Sequence, residues 1–256
     1  MSRQLRLAGR TCLVTGATGM AAAAARRFIV EGARVAVISR EPAECTEGVA
    51  YLQADLSDES AAESAFAAAR EELGRVDAAF AVAGGSGRRF GDGPLHEVSL
   101  AAWDATFALN ATPAFLAARE SVRWMLDQEP DEDGLRGSVV LMSSVSALDP
   151  APEYFGTQAY AAAKASILGL AKIAAAYYVG RGIRVNALAP ATVATPMSER
   201  AAGEVATVEF LRSKQPLSDG MLDADDVADA AVYLCSRESR RVTGQTLVVD
   251  GGWTVR

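Results

Sequence analysis

The chain has 256 residues, half of them hydrophobic, and a formal net charge of −7. This length fits one layered α/β domain, and the composition is too apolar for a disordered polymer. The negative charge, without a run rich in Lys or Arg, argues against nucleic acid as a partner, because phosphate contacts supply most of that affinity. The polar N-terminus and the lack of an apolar stretch approaching about 20 residues predict neither secretion nor a membrane span.

Three cysteines, Cys12, Cys45 and Cys235, are scattered along the chain without metal-ligand or disulfide spacing. We therefore expect no metal site, a reduced cytoplasmic setting, and cysteines that act as small core hydrophobes.

Short apolar runs rich in β-branched residues alternate with Ala-rich helical runs. This alternation predicts βαβ units and a parallel sheet that is covered on both faces. The expected strands are 11–15, 34–39, 50–54, 77–82, 138–143, 184–188 and 246–249. The expected helices are 20–31, 58–73, 100–126, 157–179 and 223–235. Gly32, Gly74 and Gly182 each follow a helical pattern, where glycine favours the left-handed conformation that ends a helix.

A glycine-containing turn lies between the first expected strand and the first expected helix. In CLVTGATGMAAAAARRF, Gly16 and Gly19 precede an unbroken run of helix formers. Such a turn brings backbone N–H groups close to a pyrophosphate at a helix N-terminus, where the peptide dipoles favour an anion. The turn indicates a dinucleotide site, although glycine between a strand and a helix is also ordinary connection chemistry.

The end of the second strand bears on which dinucleotide binds. An acid about 20 residues after the turn binds a ribose hydroxyl, whereas an Arg nearby accepts a 2′-phosphate. Ser39 stands at the acid's place and Arg40 follows it, which favours NADP(H). Glu41 keeps NAD(H) open, and a surface Arg is also explained as a solvated charge.

Tyr160 and Lys164 are four residues apart in a strongly helical pattern, so they share one face of a helix. A cation beside a phenol stabilises the phenolate. Lys164 is therefore expected to lower the pKa of Tyr160 from about 10 toward neutrality, where the phenol is an effective acid/base. Lysine occurs only at positions 164, 172 and 214, so composition does not readily explain the pair. A chance pair on an exposed helix face is the alternative.

Four features together resemble the short-chain dehydrogenase/reductase family over essentially the whole chain. They are the Tyr160 and Lys164 pair, the LMSSVS segment upstream of it, the glycine turn, and the ending VTGQTLVVDGG. The resemblance implies one Rossmann-type domain over 1–256, with a seven-stranded parallel, doubly wound sheet in the order 3-2-1-4-5-6-7. It also implies a homotetramer or dimer, and hydride transfer between a nicotinamide and a small-molecule carbonyl or alcohol.

Catalytic roles follow from the same resemblance. Tyr160 matches the family's proton donor/acceptor, and Lys164 matches the partner that lowers the tyrosine pKa and holds the ribose. Ser144 matches the serine that hydrogen-bonds the substrate oxygen, with Ser143 and Ser146 as alternatives for that role.

Further positions match the family's proton relay and cofactor contacts. Asn110 matches the asparagine that supports a water-mediated relay, although alone it is equally a helix-interrupting or capping residue. Asp55 resembles the residue that contacts adenine, and Thr195 the one that bonds the nicotinamide carboxamide. Residues 191–220 are expected to form a mobile substrate lid. The residues expected to contact the cofactor are Gly16, Thr18, Gly19, Met20, Ser39, Arg40, Asp55, Leu56, Ala83, Gly84, Tyr160, Lys164, Pro190, Val193 and Thr195.

Several positions depart from the family's pattern. The glycine motif is Gly16-x-x-Gly19-x-Ala21, one residue shorter than usual and with Ala in the last place. The family's Asn-Asn-Ala-Gly is AVAG at 81–84, so the asparagine hydrogen bonds are lost. These departures predict a remodelled pyrophosphate turn, while the four catalytic matches are intact.

The leading hypothesis is therefore an NAD(P)-dependent oxidoreductase acting on C=O or CH–OH groups. The alternative from another class is a non-catalytic dinucleotide-binding sensor or scaffold, which the altered turn favours. Enoyl-thioester reduction ranks lower, because the related reductases place the Lys farther from the Tyr. His96 lies in a polar loop and is interpreted as a solvated residue.

Overall fold

A computed structural model describes residues 5–42 and 48–256 of the chain. Seven parallel strands form one sheet in the order β3-β2-β1-β4-β5-β6-β7. The strands are β1 (Thr11–Thr15), β2 (Arg34–Ser39), β3 (Val49–Gln53), β4 (Ala78–Ala81), β5 (Gly137–Met142), β6 (Ile183–Pro190) and β7 (Thr246–Val249). The predicted fold class and strand order are confirmed.

Eight α-helices are present in the described residues. They are α1 (Gly19–Val30), α2 (Glu59–Leu73), α3 (Leu100–Asp127), α4 (Pro152–Phe155), α5 (Gln158–Tyr178), α6 (Glu199–Gly203), α7 (Val205–Lys214) and α8 (Ala224–Cys235). The five long helices lie within one residue of their predicted bounds at each end. The helices α4, α6 and α7 were not predicted, because they are too short to show a clear apolar period.

The two faces of the sheet bury separate cores, since successive side chains of a strand point to opposite faces. Leu13 and Ile38 belong to the core beneath α2, α3 and α5. Cys12 and Val14 belong to the core beneath α1 and α8, where Cys235 is also fully buried. Cys12 and Cys235 are thus core residues as predicted, and Cys45 lies outside the described residues.

Helix α5 requires one correction to the sequence-based expectation. By length and composition alone, the stretch Gln158–Arg181 is long and apolar enough to cross a membrane. It packs against α3 and β6, and its buried positions include Ala163, Lys164 and Ile167. A third of the apolar window in this stretch is buried, while Ile173 of the same helix is 67% exposed.

The sheet has its topological switch point between β1 and β4, whose neighbours β2 and β5 lie on opposite sides. In open α/β sheets, ligands bind in the crevice beyond the carboxyl ends of the strands at this point. Thr15, the last residue of β1, accepts hydrogen bonds through Oγ1 from the N–H groups of Val82 and Ala83, both at 3.1 Å. The Thr15 hydroxyl thereby holds the loop where the family's asparagines are missing.

Candidate active site

A cavity of about 380 Å³ opens at the carboxyl ends of the strands. It is lined by the loops that follow β1 to β6, by one face of α5, and by the start of the 191–220 segment. Every residue predicted to contact the cofactor lines this cavity, and so does Ser144. Asn110 is the exception among the predicted site residues, because it is fully buried behind the wall.

Tyr160 and Lys164 lie on one face of α5, with the Lys164 Nζ 5.7 Å from the centre of the Tyr160 ring. Lys164 is 3% exposed, and its ammonium donates a hydrogen bond to the carbonyl of Met142 at 3.1 Å. Burial of the ammonium lowers the pKa of Lys164 to about 8. The ammonium of Lys164 is thus fixed at the end of β5.

The Tyr160 pKa differs from the sequence-based expectation. Burial raises the pKa of Tyr160 above its usual value, and a hydrogen bond with Ser144 opposes that rise. The predicted lowering by Lys164 is therefore wrong for this arrangement, since desolvation of the phenolate outweighs the neighbouring groups. The phenol is held protonated, which suits a proton donor.

The structure distinguishes the three candidate serines. The Ser143 hydroxyl is buried and donates to the backbone carbonyl of Lys164 at 2.7 Å, so it ties β5 to α5. The Ser144 hydroxyl interacts with Tyr160, and it accepts hydrogen bonds from the N–H and hydroxyl of Ser146 at 3.2 and 3.0 Å. Ser144 is the serine placed beside the phenol, and Ser146 donates hydrogen bonds to its hydroxyl from the same cavity lining.

Asn110 shapes the cavity wall from within α3. Its side-chain amide donates to the carbonyls of Gly85 and Thr106 at 2.9 and 3.0 Å, and its Oδ1 accepts from the Gly85 N–H at 3.1 Å. A Cβ at Gly84 would lie 2.7 Å from the Asn110 Oδ1 and 3.3 Å from the Lys164 Nζ. Only glycine therefore lets the loop after β4 approach these two side chains so closely.

The shortened glycine turn forms a cradle at the start of α1. Gly16 and Gly19 have φ of +92° and +52°, which glycine adopts at no steric cost. The Cβ of Ala21 would come within 3.2 Å of a Cβ at Gly16, so Ala fits in the last motif position because Gly16 has no side chain. Thr18 precedes the helix and makes no side-chain cap. The first N–H groups of α1 thus have no side-chain cap from Thr18, and the cradle fits a pyrophosphate.

Charged groups cluster at the far end of the cavity, beyond β2 and β3. The Arg40 guanidinium lies 3.2 Å from the Glu41 carboxylate and 3.6 Å from the Asp55 carboxylate. Hydrogen bonds from the hydroxyl and the N–H of Ser57 lower the pKa of Asp55. Ser39 is buried, and its hydroxyl accepts from the Glu41 N–H at 3.2 Å. This cluster therefore offers carboxylates that can bind a ribose hydroxyl and a guanidinium that can bind a 2′-phosphate.

The structure reveals one site-shaping residue that the sequence did not indicate. Asp92 is 5% exposed, and its two carboxylate oxygens accept hydrogen bonds from the N–H groups of Ala159 and Tyr160, both at 2.9 Å. It caps α5 from a loop 67 residues away along the chain. The sequence signal is indirect, because the first turn of α5 has no acidic residue of its own to complement the helix N-terminus.

His96, by contrast, lies outside the cavity with 81% of its side chain exposed. This agrees with its interpretation as a solvated residue.

One family profile and several known proteins are similar to the chain. The profile, described as enoyl-(acyl carrier protein) reductase, matches residues 14–254. Short-chain dehydrogenase reductase 3a of Arabidopsis thaliana is 34% identical over 98% of this chain and 97% of its own length. Glucose 1-dehydrogenase of Gluconobacter oxydans is 32% identical over 98% of this chain and 94% of its own. The solved ligand-free aldohexose dehydrogenase of Thermoplasma acidophilum has a TM-score of 0.86 at 25% identity, covering 98% of this chain and 96% of that one.

Proposed function

Since the chain belongs to the short-chain dehydrogenase/reductase family and is an oxidoreductase acting on CH–OH or C=O groups, we propose that Tyr160 is its proton donor and acceptor. The observation that carries this proposal is the placement of Tyr160, Ser144 and Lys164 around one cavity, beside a glycine cradle that fits a pyrophosphate. A nicotinamide dinucleotide bound in this cavity supplies or accepts the hydride.

In the direction of reduction, the substrate carbonyl oxygen lies between the hydroxyls of Ser144 and Tyr160. Ser144 donates a hydrogen bond that stabilises the developing negative charge on that oxygen. Tyr160, whose phenol is protonated because its pKa is raised, transfers its proton to the oxygen as the alkoxide forms. In the direction of oxidation, Tyr160 first gives its proton to the relay, and the phenolate oxygen then takes the proton from the alcohol.

Lys164 and Asn110 act behind these two hydroxyls. The ammonium of Lys164, 5.7 Å from the centre of the Tyr160 ring, attracts the phenolate that remains after proton transfer without offsetting the cost of its burial, and it holds the ribose of the dinucleotide. Asn110 fixes the backbone at Gly85 and supports the relay that returns a proton to the site. Residues 191–220 act as the substrate lid.

For the cofactor, NADP(H) is our proposal, because Arg40 lines the end of the cavity where a 2′-phosphate would lie. Glu41 and Asp55 compete with a 2′-phosphate for the Arg40 guanidinium, so the preference for NADP(H) over NAD(H) is expected to be moderate. Titration of NADPH and NADH against the wild type and Arg40→Ala tests this choice. Arg40→Ala is expected to weaken NADPH about 10-fold and leave NADH nearly unchanged. Tighter NADH binding by the wild type would refute it.

A substrate-panel assay tests the activity itself. Ketones, secondary alcohols and an enoyl thioester are mixed with NADPH or NADH, and the cofactor absorbance is followed. We expect turnover of ketones or alcohols and none of the C=C bond. Cofactor binding without turnover across the panel would favour a sensor, and thioester reduction would favour the activity for which the matching profile is described. A homotetramer or dimer and a cytoplasmic location are further proposals from the family.

A further inference from the structure

Two arginines line the cavity on the side where the substrate would enter. Arg88 belongs to the short turn that follows β4, and Arg200 lies in α6, within the segment proposed as the lid. The acidic residues that line the cavity, Glu41 and Asp55, both lie at the opposite end, beside Arg40. The cavity lining at this end thus carries two cationic side chains and no acidic one, and Glu204, outside the lining, pairs with Arg200.

The carboxylates nearest to Arg88 are already engaged by other groups. Both oxygens of Asp92 accept backbone N–H groups at the start of α5. The oxygens of Glu204 accept from Arg200 and from the hydroxyl of Thr207. Among the described residues, no carboxylate lies within ion-pair distance of the Arg88 guanidinium, which leaves its donors available to a ligand.

The two guanidinium groups also act on each other. Burial lowers the pKa of Arg88, and repulsion from Arg200 lowers it further, while Asp92 and Glu204 oppose the change. Arg200 is paired with Glu204, whereas Arg88 has no ion pair among the described residues, so an anion at this cavity wall is stabilised first by Arg88, with Arg200 lining the same cavity.

We propose that Arg88 and Arg200 recognise an anionic oxygen group, a carboxylate or phosphate, on the carbonyl or alcohol substrate. This inference rests on the proposed function, because it names the substrate class of the same site. Arginine suits the role, since its planar donors bind carboxylate and phosphate oxygens in a bidentate manner. If α6 closes over the cavity, the Arg200 guanidinium would contact the same anionic group of the substrate.

Binding of simple anions tests the proposal without requiring turnover. Succinate and inorganic phosphate are titrated by calorimetry into the protein saturated with NADPH, so that the dinucleotide's own phosphate sites are filled. Arg88→Gln and Arg200→Gln are each expected to weaken anion binding about 10-fold or more. The matched control is Arg89→Gln, because Arg89 neighbours Arg88 but lies outside the cavity lining and stacks on Phe90. It is expected to bind anions as the wild type does.

Matched substrate pairs give the second readout. A keto acid and its methyl ester are compared, and the wild type is expected to prefer the acid by about 10-fold in kcat/KM, a preference that Arg88→Gln abolishes. Equal anion binding by Arg88→Gln and Arg89→Gln would overturn the proposal, as would weaker NADPH binding in Arg88→Gln with no change toward the anions. A protein that binds these anions through Arg88 but turns over no carbonyl would instead contradict the proposed function.

Discussion

The two ends of the cavity are built in opposite ways. At the reacting end, Lys164, Asn110 and Asp92 are nearly or fully buried, and each is held by hydrogen bonds to backbone groups of another segment. At the other end of the cavity, Arg40 and Asp55 are roughly half exposed; Arg40 pairs with Glu41 as well as Asp55, and Asp55 accepts hydrogen bonds from Ser57. Exposed ion pairs contribute little, whereas buried polar groups are costly to disturb. In the proposed function, the groups that act on the substrate are thus fixed by the core, whereas the groups proposed to select the dinucleotide lie at the surface.

The largest expected effect comes from removing the phenol at the buried end. Tyr160→Phe should reduce turnover by about 10² to 10⁴-fold, because a positioned proton donor contributes on that scale, while the cofactor dissociation constant changes little. Steady-state rates and cofactor titration measure the two quantities. Tyr177→Phe on the same helix is the control, since Tyr177 is 64% exposed. Unchanged turnover in Tyr160→Phe would contradict the proposed role.

The pH dependence of stability tests how deeply the reacting end is buried. The pKa of Lys164 falls from 10.5 to about 8 on folding, so between these values the unfolded chain keeps a proton that the folded chain has lost. Wild-type stability should therefore rise with pH across this window through Lys164, by up to about 3 kcal/mol. Lys164→Met should lack that contribution.

Urea unfolding from pH 7 to pH 10 measures the free energy of unfolding of both proteins. The advantage of Lys164→Met over the wild type is expected to be largest below pH 8 and to shrink as the pH rises. Lys172→Met serves as the control, because Lys172 is an exposed residue of the same helix. Parallel pH profiles for the wild type and Lys164→Met would show that the ammonium is solvated.

The close approach at Gly84 predicts a packing defect. Gly84→Ala places a Cβ 2.7 Å from the Asn110 Oδ1, so the loop or the amide must shift, at a cost of about 2 kcal/mol. Lower stability and a lower kcat should appear together. Gly93→Ala is the matched control, since a Cβ there meets nothing within 4 Å. Equal stability and equal kcat in the two variants would mean that the cavity wall accommodates the added Cβ without an energetic cost.

The smallest of these effects is expected at the cap of α5. In Asp92→Asn the amide accepts only one of the two N–H groups, and we expect a loss of about 1 kcal/mol in stability and a lower kcat with little change in KM. Asp104→Asn, at an exposed position of α3, controls for the charge change. A melting temperature and a kcat both equal to those of the wild type would show that Tyr160 needs no such anchor.

Local chemistry was enough to predict most of the fold. The apolar runs of β1 and β2 and the long Ala-rich helices are visible in the sequence because their periodicity reports directly which faces are buried. The helices of the 191–220 segment were missed, since five to ten residues give too little periodicity to distinguish a helix from a loop. Most of the expected cofactor contacts line the cavity because they follow strand ends, while Tyr160 and Lys164 reach it from one face of α5.

By itself, the sequence determined the Tyr160 and Lys164 spacing and, through its family resemblance, the sheet order and the expected cofactor contacts, which all line the cavity. Tertiary structure alone decided the rest, which depends on contacts between distant segments. Burial in the folded chain raises the Tyr160 pKa. Folding also puts Ser144, and not Ser143, beside the phenol, and it brings Asp92 to the N-terminus of α5. These outcomes reflect desolvation and hydrogen bonding across 16 to 68 residues of chain, and no local pattern encodes such distances.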